Sequence, residues 1–108
     1  MLNRQKDILY DFAKSKNLWK RRISIVSTLA FIKNRKIDDT FKIAKILLHD
    51  KHDLIHKASG WMLREAGKID LKSLEDFLNR YGNKMPRTML RYAIERFPKN
   101  VRLHYLKK

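Results

Sequence analysis

Apolar side chains recur at intervals of three and four residues along almost the whole chain, and this helical period limits the possible folds more than any other feature. Only three glycines and two prolines interrupt it. No segment alternates apolar and polar residues in the way that a half-buried strand would. The pattern therefore predicts an all-α chain.

Helix start and stop signals divide the chain into six predicted helices and a short closing turn. Polar residues suited to N-caps precede four of the helices, Pro86 suits a first helical position, and Pro98 ends the last helix. The cap residues are Ser15 with Asn17, Asp38, Asp53 and Asp70. Because the connections are short, successive helices are expected to be antiparallel neighbours. The predicted helices span residues 3–14, 17–33, 38–48, 53–68, 70–81 and 86–97, and the turn spans 99–106.

Two Trp-x-x-Arg segments, Trp19 to Arg22 and Trp61 to Arg64, begin 42 residues apart. This spacing falls within the ~40–47-residue period of HEAT and armadillo units. The segment 88–93 repeats the segment 61–66 at four of six positions. We therefore expect antiparallel helix pairs stacked as HEAT-like or ARM-like repeats in an α–α superhelix, which form a single domain over residues 1–108.

The charge balance favours a polyanionic partner. The chain has 26 Lys and Arg residues against 11 Asp and Glu residues, and its net charge is +15. A balance this basic is typical of domains that bind nucleic acid. The alternative partners are an acidic protein and an anionic membrane surface. A further alternative is that the charge serves only solubility.

The sequence carries no signal for a membrane or for secretion. No apolar run approaches the ~18 residues of a membrane-spanning helix, and the N-terminus lacks the apolar core of a secretory signal. The absence of cysteine removes disulfides, thiolate zinc sites and cysteine nucleophiles, and it is consistent with a reducing compartment. We expect a cytoplasmic protein that associates with the nucleoid when it binds DNA.

In a helix, residues three apart share a face, so each Trp-x-x-Arg segment presents an indole beside a guanidinium. The indole can pack against a deoxyribose or a base, and the guanidinium can hold two phosphate oxygens. The alternative is that each Trp belongs to the core and each Arg reaches outward to solvent. Nearby cations would form an electrostatic track if they clustered on one side of a solenoid. They are Lys14, Lys16, Lys20, Arg21, Lys57, Lys84, Arg87 and Arg91.

No residue pattern points clearly to catalysis, a metal or a cofactor. His49, His52 and His56 have a spacing that could suit a metal, but without cysteine we expect them at a solvated helix start. There is no Gly-rich phosphate loop, Ser nucleophile elbow or paired-carboxylate signature. Glu65 is the one acid on the expected binding face, and an ion pair with Arg64 is its simpler explanation.

Three segments, 17–25, 57–65 and 85–95, resemble in order and spacing the C-terminal half of the HEAT-like-repeat DNA alkylation repair enzymes, the AlkD-type glycosylases. The resemblance covers about residues 8–105, and the Gly-Trp-x-Leu-Arg-Glu segment is its most specific part. It implies a concave basic cleft around duplex DNA. It also implies hydrolytic release of N3- and N7-alkylated purines without a pocket for a flipped base.

The resemblance makes Trp61 one of two indoles that contact the sugar of the damaged nucleotide, Arg64 a phosphate contact or its neighbour, and Arg22 the arginine of the cleft. Trp19 matches a packing position. The family's second indole and catalytic Asp belong to a Trp-Asp-x-x-Asp segment upstream of the matched region, and this sequence contains no such segment. The expected DNA-binding residues are Trp61, Arg64, Arg22, Trp19, Arg21, Lys57, Arg87 and Arg91.

The sequence thus predicts the DNA-binding part of a glycosylase-like protein for duplex DNA with alkylated bases, inactive alone, with a missing N-terminal half as a further partner. One alternative is a helical-repeat scaffold for an acidic protein. Another is an enzyme that uses Glu65 as a substitute acid. No metal or cofactor is predicted.

Overall fold

The computed structural model describes the backbone of residues 2–107 and the side chains of residues 6–107, and residues 2–107 contain helices and turns but no strand. This confirms the all-α prediction, and the arrangement is compatible with an α–α superhelix. The helices are α1 (Leu2–Ala13), α2 (Leu18–Val26), α3 (Thr28–Lys33), α4 (Asp38–Ile46), α5 (Asp53–Ile69), α6 (Leu71–Tyr81), α7 (Arg87–Ala93) and α8 (Lys99–Leu106). Short 3-10 turns follow α4 at Leu47–His49 and α6 at Gly82–Lys84.

Side-chain caps fix three of the helix starts. The side chains of Asn17 and Asp70 accept hydrogen bonds from first-turn N–H groups of α2 and α6 at 2.9 and 3.2 Å, as predicted. At α5 the cap is His52, whose Nδ1 accepts a backbone N–H at 3.2 Å. The residues predicted to cap α5 and α4, Asp53 and Asp38, lie instead inside the first turns. There their charges suit the positive end of the helix dipole.

The single helix predicted over 17–33 is wrong, because the segment forms two helices, α2 and α3, that are separated at Ser27. The hydroxyl of Thr28 donates to the carbonyl of Ile25 at 2.6 Å, and the hydroxyl of Ser24 donates to a carbonyl one turn earlier at 2.5 Å. Hydroxyls that bond to the backbone of the preceding turn bend helices. The two hydroxyls that bond to the backbone on either side of Ser27 therefore account for the division of this segment.

The turn predicted over 99–106 is also wrong, because this segment forms α8. The ring centroids of Phe97 and Tyr105 lie 5.9 Å apart, and Arg87 at the start of α7 donates to the backbone carbonyl of Leu106. α7 ends before Phe97, which the sequence placed in its last turn. Most helical stability in proteins comes from tertiary packing, and these contacts supply it for α8.

The helices form two layers that share α5. In the first layer α2, α5 and α7 lie side by side, and α3 follows α2. In the second layer Tyr10 of α1 donates to Asp39 of α4 at 2.7 Å, and the ring of Phe41 of α4 lies 5.6 Å from that of Phe77 of α6. α5 also packs against the helices of the second layer. The two Trp-x-x-Arg segments lie on α2 and α5, which are neighbours in the first layer.

α5 and α7 approach each other closely because α5 carries a glycine where they meet. A Cβ added to Gly60 would lie 2.5 Å from the carbonyl oxygen of Met89 and 2.5 Å from the Cβ of Tyr92. Next to this contact, Leu63 of α5 and Leu90 of α7 are buried in the core. None of the helices within residues 2–107 is long and apolar enough to cross a membrane.

Candidate nucleic-acid interface

One side of α5 is open to solvent along its length, and it carries aromatic and basic side chains. The exposed or half-buried residues on this side are Leu54, Lys57, Trp61, Arg64 and Lys68. Their spacing of three and four residues places them in one stripe, opposite the fully buried Ser59 and Leu63. Trp61 is packed partly against the core, and its remaining surface faces outward. Trp61 therefore packs in part against the core and leaves part of its indole at the surface.

α2 presents the first Trp-x-x-Arg segment beside this stripe, but its tryptophan is not packed. Trp19 is 61% exposed, and Ile23, one turn later on the same side, is 47% exposed. The packing position expected for Trp19 is therefore wrong, because most of its side chain is open to solvent. Arg22 is half-buried, and its side chain forms no hydrogen bond or ion pair with residues 6–107. Its guanidinium is thus available to an external anion.

α7 contributes a third strip on the other side of α5. Tyr92 is 37% exposed, and Arg91 is exposed with no side-chain partner in the described part of the chain. Tyr92 was not predicted as a site residue, although its spacing from Thr88 and Glu95 places it on an outer side of the predicted helix. We call the exposed strips of α2, α5 and α7 together the three-helix face. Its residues are Trp19, Arg22, Ile23 and Val26; Leu54, Lys57, Trp61, Arg64 and Lys68; and Thr88, Arg91, Tyr92 and Glu95.

Arg64 is engaged by two carboxylates. One of its terminal nitrogens donates to Glu95 in the turn after α7, and its Nε lies 3.5 Å from the carboxylate of Glu65. That Nε is buried and makes no hydrogen bond of good geometry within residues 6–107. The guanidinium therefore joins α5 to the turn after α7, and part of its charge is balanced before any phosphate could bind.

Glu65 is likewise held by its neighbours. The Nζ of Lys68 lies 2.9 Å from its carboxylate, and Arg64 lies on the other side. Burial raises the pKa of Glu65, but the hydrogen bond from Lys68 and the charges of Lys68 and Arg64 outweigh it, so the pKa is below its usual value. A carboxylate that stays charged between two cations is suited to an ion pair and not to donating a proton.

The other three cations expected to bind DNA also have partners in the protein. The Nε of Arg21 lies 2.6 Å from Asp50, and its terminal nitrogen donates to two carbonyls of the connection between α1 and α2. Arg87 donates to the last turn of α8. Lys57 lies 3.3 Å from Asp53 in an exposed pair, which costs little to break. DNA would have to replace structural contacts at Arg21 and Arg87 but not at Lys57.

The remaining cations singled out from the sequence lie beside the three-helix face. The Nζ of Lys20 lies 5.5 Å from the ring centroid of Phe12 on α1. Lys14, Lys16 and Lys84 are exposed in the connections between helices. The three-helix face thus contains fewer basic residues than the sequence predicted.

Two of the three histidines at or near the start of α5 form hydrogen bonds with the backbone. His52 caps α5, and the Nε2 of His56 lies 2.5 Å from the carbonyl oxygen of Asp50. His49 is exposed in the 3-10 turn. Across the described side chains, no group of three or more His, Cys, Asp or Glu residues is arranged to hold a metal ion.

The all-helical fold and the basic, aromatic face agree with the comparison of the sequence with known families. The chain matches the family model described as DNA alkylation repair enzyme over residues 1–97. The chain therefore belongs to the DNA alkylation repair enzyme family, which confirms the resemblance carried by its motifs. This membership supports a role related to DNA alkylation repair. Comparisons with curated proteins and with solved structures find no match.

Proposed function

We propose that the three-helix face binds duplex DNA, and that the chain is the DNA-binding part of a DNA alkylation repair glycosylase-like protein. The observation that carries this proposal is the placement of Arg22, Trp61 and Arg91 on three adjacent helices. Both arginines lack partners within residues 6–107, so their charges are available to phosphates. The partly exposed indole of Trp61 lies on the central helix between them. Cations fixed along such a surface bind DNA by releasing its condensed counterions.

The binding we propose is independent of base sequence. Phosphate contacts position a protein on DNA, whereas sequence is read by hydrogen bonds to base edges in the grooves. The three-helix face offers guanidinium, ammonium and aromatic groups spread over three helices, which suits phosphates and sugars. By the family resemblance, Trp61 would contact the deoxyribose of an alkylated nucleotide, and Arg22 and Arg64 would hold neighbouring phosphates.

We further propose that the chain alone does not release alkylated bases. Cleavage of the glycosidic bond requires stabilisation of the positive charge that develops on the sugar. Glu65 lies one turn after Trp61 on α5, and its carboxylate is already bound by Lys68 and Arg64. The catalytic acid would come from a Trp-Asp-x-x-Asp segment, as in the N-terminal half expected from the resemblance.

The experiment is duplex binding by fluorescence anisotropy at salt concentrations from about 50 mM to about 200 mM. Arg22→Ala combined with Arg91→Ala is compared with Lys33→Ala combined with Lys36→Ala, two exposed cations near the connection between α3 and α4. We expect wild-type affinity to fall steeply with salt. In the face variant, the slope of log affinity against log salt should decrease by about two, because each phosphate contact contributes about 0.9.

Two outcomes would contradict the proposal. Affinity that is flat across the salt range, or absent at low salt, would leave the basic face without a DNA-binding role and favour an acidic protein partner. An equal loss in the face variant and in the Lys33/Lys36 variant would show that only the net charge of the chain matters.

A further inference from the structure

A cleft lies between α4 and α6 in the second layer. Three aromatic and three basic side chains line it: Phe41, Lys42 and Lys45 from α4, and Phe77, Arg80 and Tyr81 from α6. Its volume is about 290 Å³, which is at the lower end of the range for small-molecule sites. The cleft therefore admits one group of about the size of a nucleotide, and it is too small for the helix of a partner protein.

The aromatic residues form a continuous wall. The ring centroids of Phe41 and Phe77 are 5.6 Å apart, and those of Phe77 and Tyr81 are 5.0 Å apart. Phe77 is almost fully buried and belongs to the core, whereas Phe41 and Tyr81 are partly exposed. Packing against the core holds the wall in place, and its outer edges are open to a planar ligand.

The basic residues leave the cleft with a surplus of positive charge. Lys42, Lys45 and Arg80 form no ion pair with a carboxylate of residues 6–107. The Nζ of Lys45 lies 5.6 Å from the ring centroid of Tyr81. A hydrogen bond from Lys45, together with the charges of Lys45 and Arg80, lowers the pKa of Tyr81. Asp76 is the one acid among the residues that line the cleft.

We propose that this cleft binds a nucleotide unit of single-stranded DNA, with the base against the aromatic wall and the phosphate held by Lys42, Lys45 and Arg80. Single-stranded nucleic acid is bound by aromatic rings that pack against bases beside cations that follow the backbone. The bases of an intact duplex are paired and stacked, so they cannot enter. An acidic peptide would use the cations but leave the aromatic wall without a partner. The site lies outside the three-helix face and does not depend on the function proposed for that face.

The experiment measures anisotropy of a labelled oligo(dT) with three charge-reversed variants of the full chain. They are Lys45→Glu with Arg80→Glu in the cleft, Arg22→Glu with Arg91→Glu on the three-helix face, and Lys33→Glu with Lys36→Glu as a matched control. We expect the cleft variant to bind oligo(dT) about tenfold more weakly than the control variant. An equal loss in the cleft and control variants would overturn the proposal. Circular dichroism spectra verify that each variant is folded, and the substituted side chains in the cleft are exposed.

Two further ligands test the chemistry of the cleft. An oligodeoxyribose phosphate of the same length without bases should bind about fivefold more weakly than oligo(dT), because it cannot pack against Phe41 and Tyr81. Equal binding of the two would overturn the assignment to a nucleotide. Polyglutamate tests whether the cleft accepts an acidic peptide instead. If it bound as tightly as oligo(dT), and if its affinity fell equally in the cleft variant, the assignment to a nucleotide would be overturned and an acidic peptide would be indicated. Duplex binding by the three-helix face is measured separately, so failure of either proposal is distinguishable from failure of the other.

Discussion

Arg64, in the middle of the three-helix face, is bound by Glu95, which lies 31 residues later in the sequence. The side chain of Glu95 is 61% exposed, whereas that of Arg64 is 21% exposed. The arginine is therefore held in place by an acid that solvent and ligands can reach. Glu95 competes with any phosphate for Arg64, and the face carries less free positive charge than its sequence indicates.

Replacing Glu95 with glutamine should strengthen duplex binding. The Glu95→Gln variant frees the charge of Arg64, so affinity at low salt should rise and the salt slope should steepen by up to about one. Asp11→Asn is the matched control, because Asp11 is exposed on α1 and forms no ion pair within residues 6–107. Affinity that is unchanged in Glu95→Gln, or that rises equally in both variants, would show that Arg64 does not contact DNA.

Adding one methyl group at Gly60 should destabilise the fold. The new Cβ would overlap backbone atoms of Met89 and the Cβ of Tyr92, so α5 and α7 would have to separate. We expect Gly60→Ala to lower the free energy of unfolding by about 1–3 kcal/mol, as overpacked core sites do. Urea unfolding measures this change.

Gly82→Ala is the control for that measurement. A Cβ on Gly82 meets no atom within 4 Å, and the backbone there is already helical. Its substitution should be neutral or slightly stabilising, because alanine restricts the unfolded chain. If Gly60→Ala proved as stable as Gly82→Ala, the close approach of α5 and α7 would be wrong.

The stability that Asp39 contributes should be lost in acid. Its carboxylate accepts from Tyr10 at 2.7 Å and lies 3.0 Å from Lys6. Burial raises the pKa of Asp39, but these hydrogen bonds and the charge of Lys6 outweigh it, so the pKa is below its usual value. Below about pH 4 the carboxylate of Asp39 therefore binds a proton more readily in the unfolded chain than in the folded chain. The free energy of unfolding decreases as the pH is lowered through this range.

The Asp39→Asn variant tests this expectation. At neutral pH its free energy of unfolding should be lower than that of the wild type by about 1–2 kcal/mol, because the charge-assisted hydrogen bonds are weakened. The difference should shrink as pH falls below about 4. Asp38→Asn is the control, because Asp38 is exposed and forms no ion pair within residues 6–107. A deficit in Asp39→Asn that stays constant down to the acid limit would refute this assignment.

The purified chain should not release 7-methylguanine or 3-methyladenine from methylated duplex DNA faster than spontaneous depurination. Trp61 and the cations of the three-helix face would bind the substrate and the transition state about equally, which adds little to a rate. The measurement is base release by the wild type and by the Trp61→Ala and Glu65→Gln variants. Release well above background that disappears in Glu65→Gln would make Glu65 the catalytic acid. Release only after addition of a fragment with Trp-Asp-x-x-Asp would indicate a split enzyme.

The sequence predicted the fold class and the helix that carries the candidate site. The helical period placed Trp61 and Arg64 on one side of a helix, and the caps at Asn17 and Asp70 were predicted because their side chains act locally. The break at Ser27 was not predicted, because a periodic pattern does not show which hydroxyls bond to the backbone. Nor was α8, whose stability depends on contacts with α7.

The candidate site was harder to predict because its character depends on distant partners. Arg21 is bound to Asp50, 29 residues away, and Arg87 to the end of α8, 19 residues away. A count of basic residues cannot separate such cations from Arg22 and Arg91, whose side chains lack partners in the described part of the chain. The family resemblance gave Trp19 a packing position, yet its side chain is exposed.

The position of α5 also determines how the molecule comes apart. This helix packs against α2, α3, α4, α6 and α7, while its outer stripe reaches solvent. In an elongated array of repeats an end unit can unfold while the others persist, because each touches only its neighbours. Here melting of the central helix would remove the support of both layers, so we expect the chain to unfold as one cooperative unit. A ligand bound to the outer stripe would therefore raise the free energy of unfolding of the entire molecule. The increase would depend on the ligand concentration relative to its Kd.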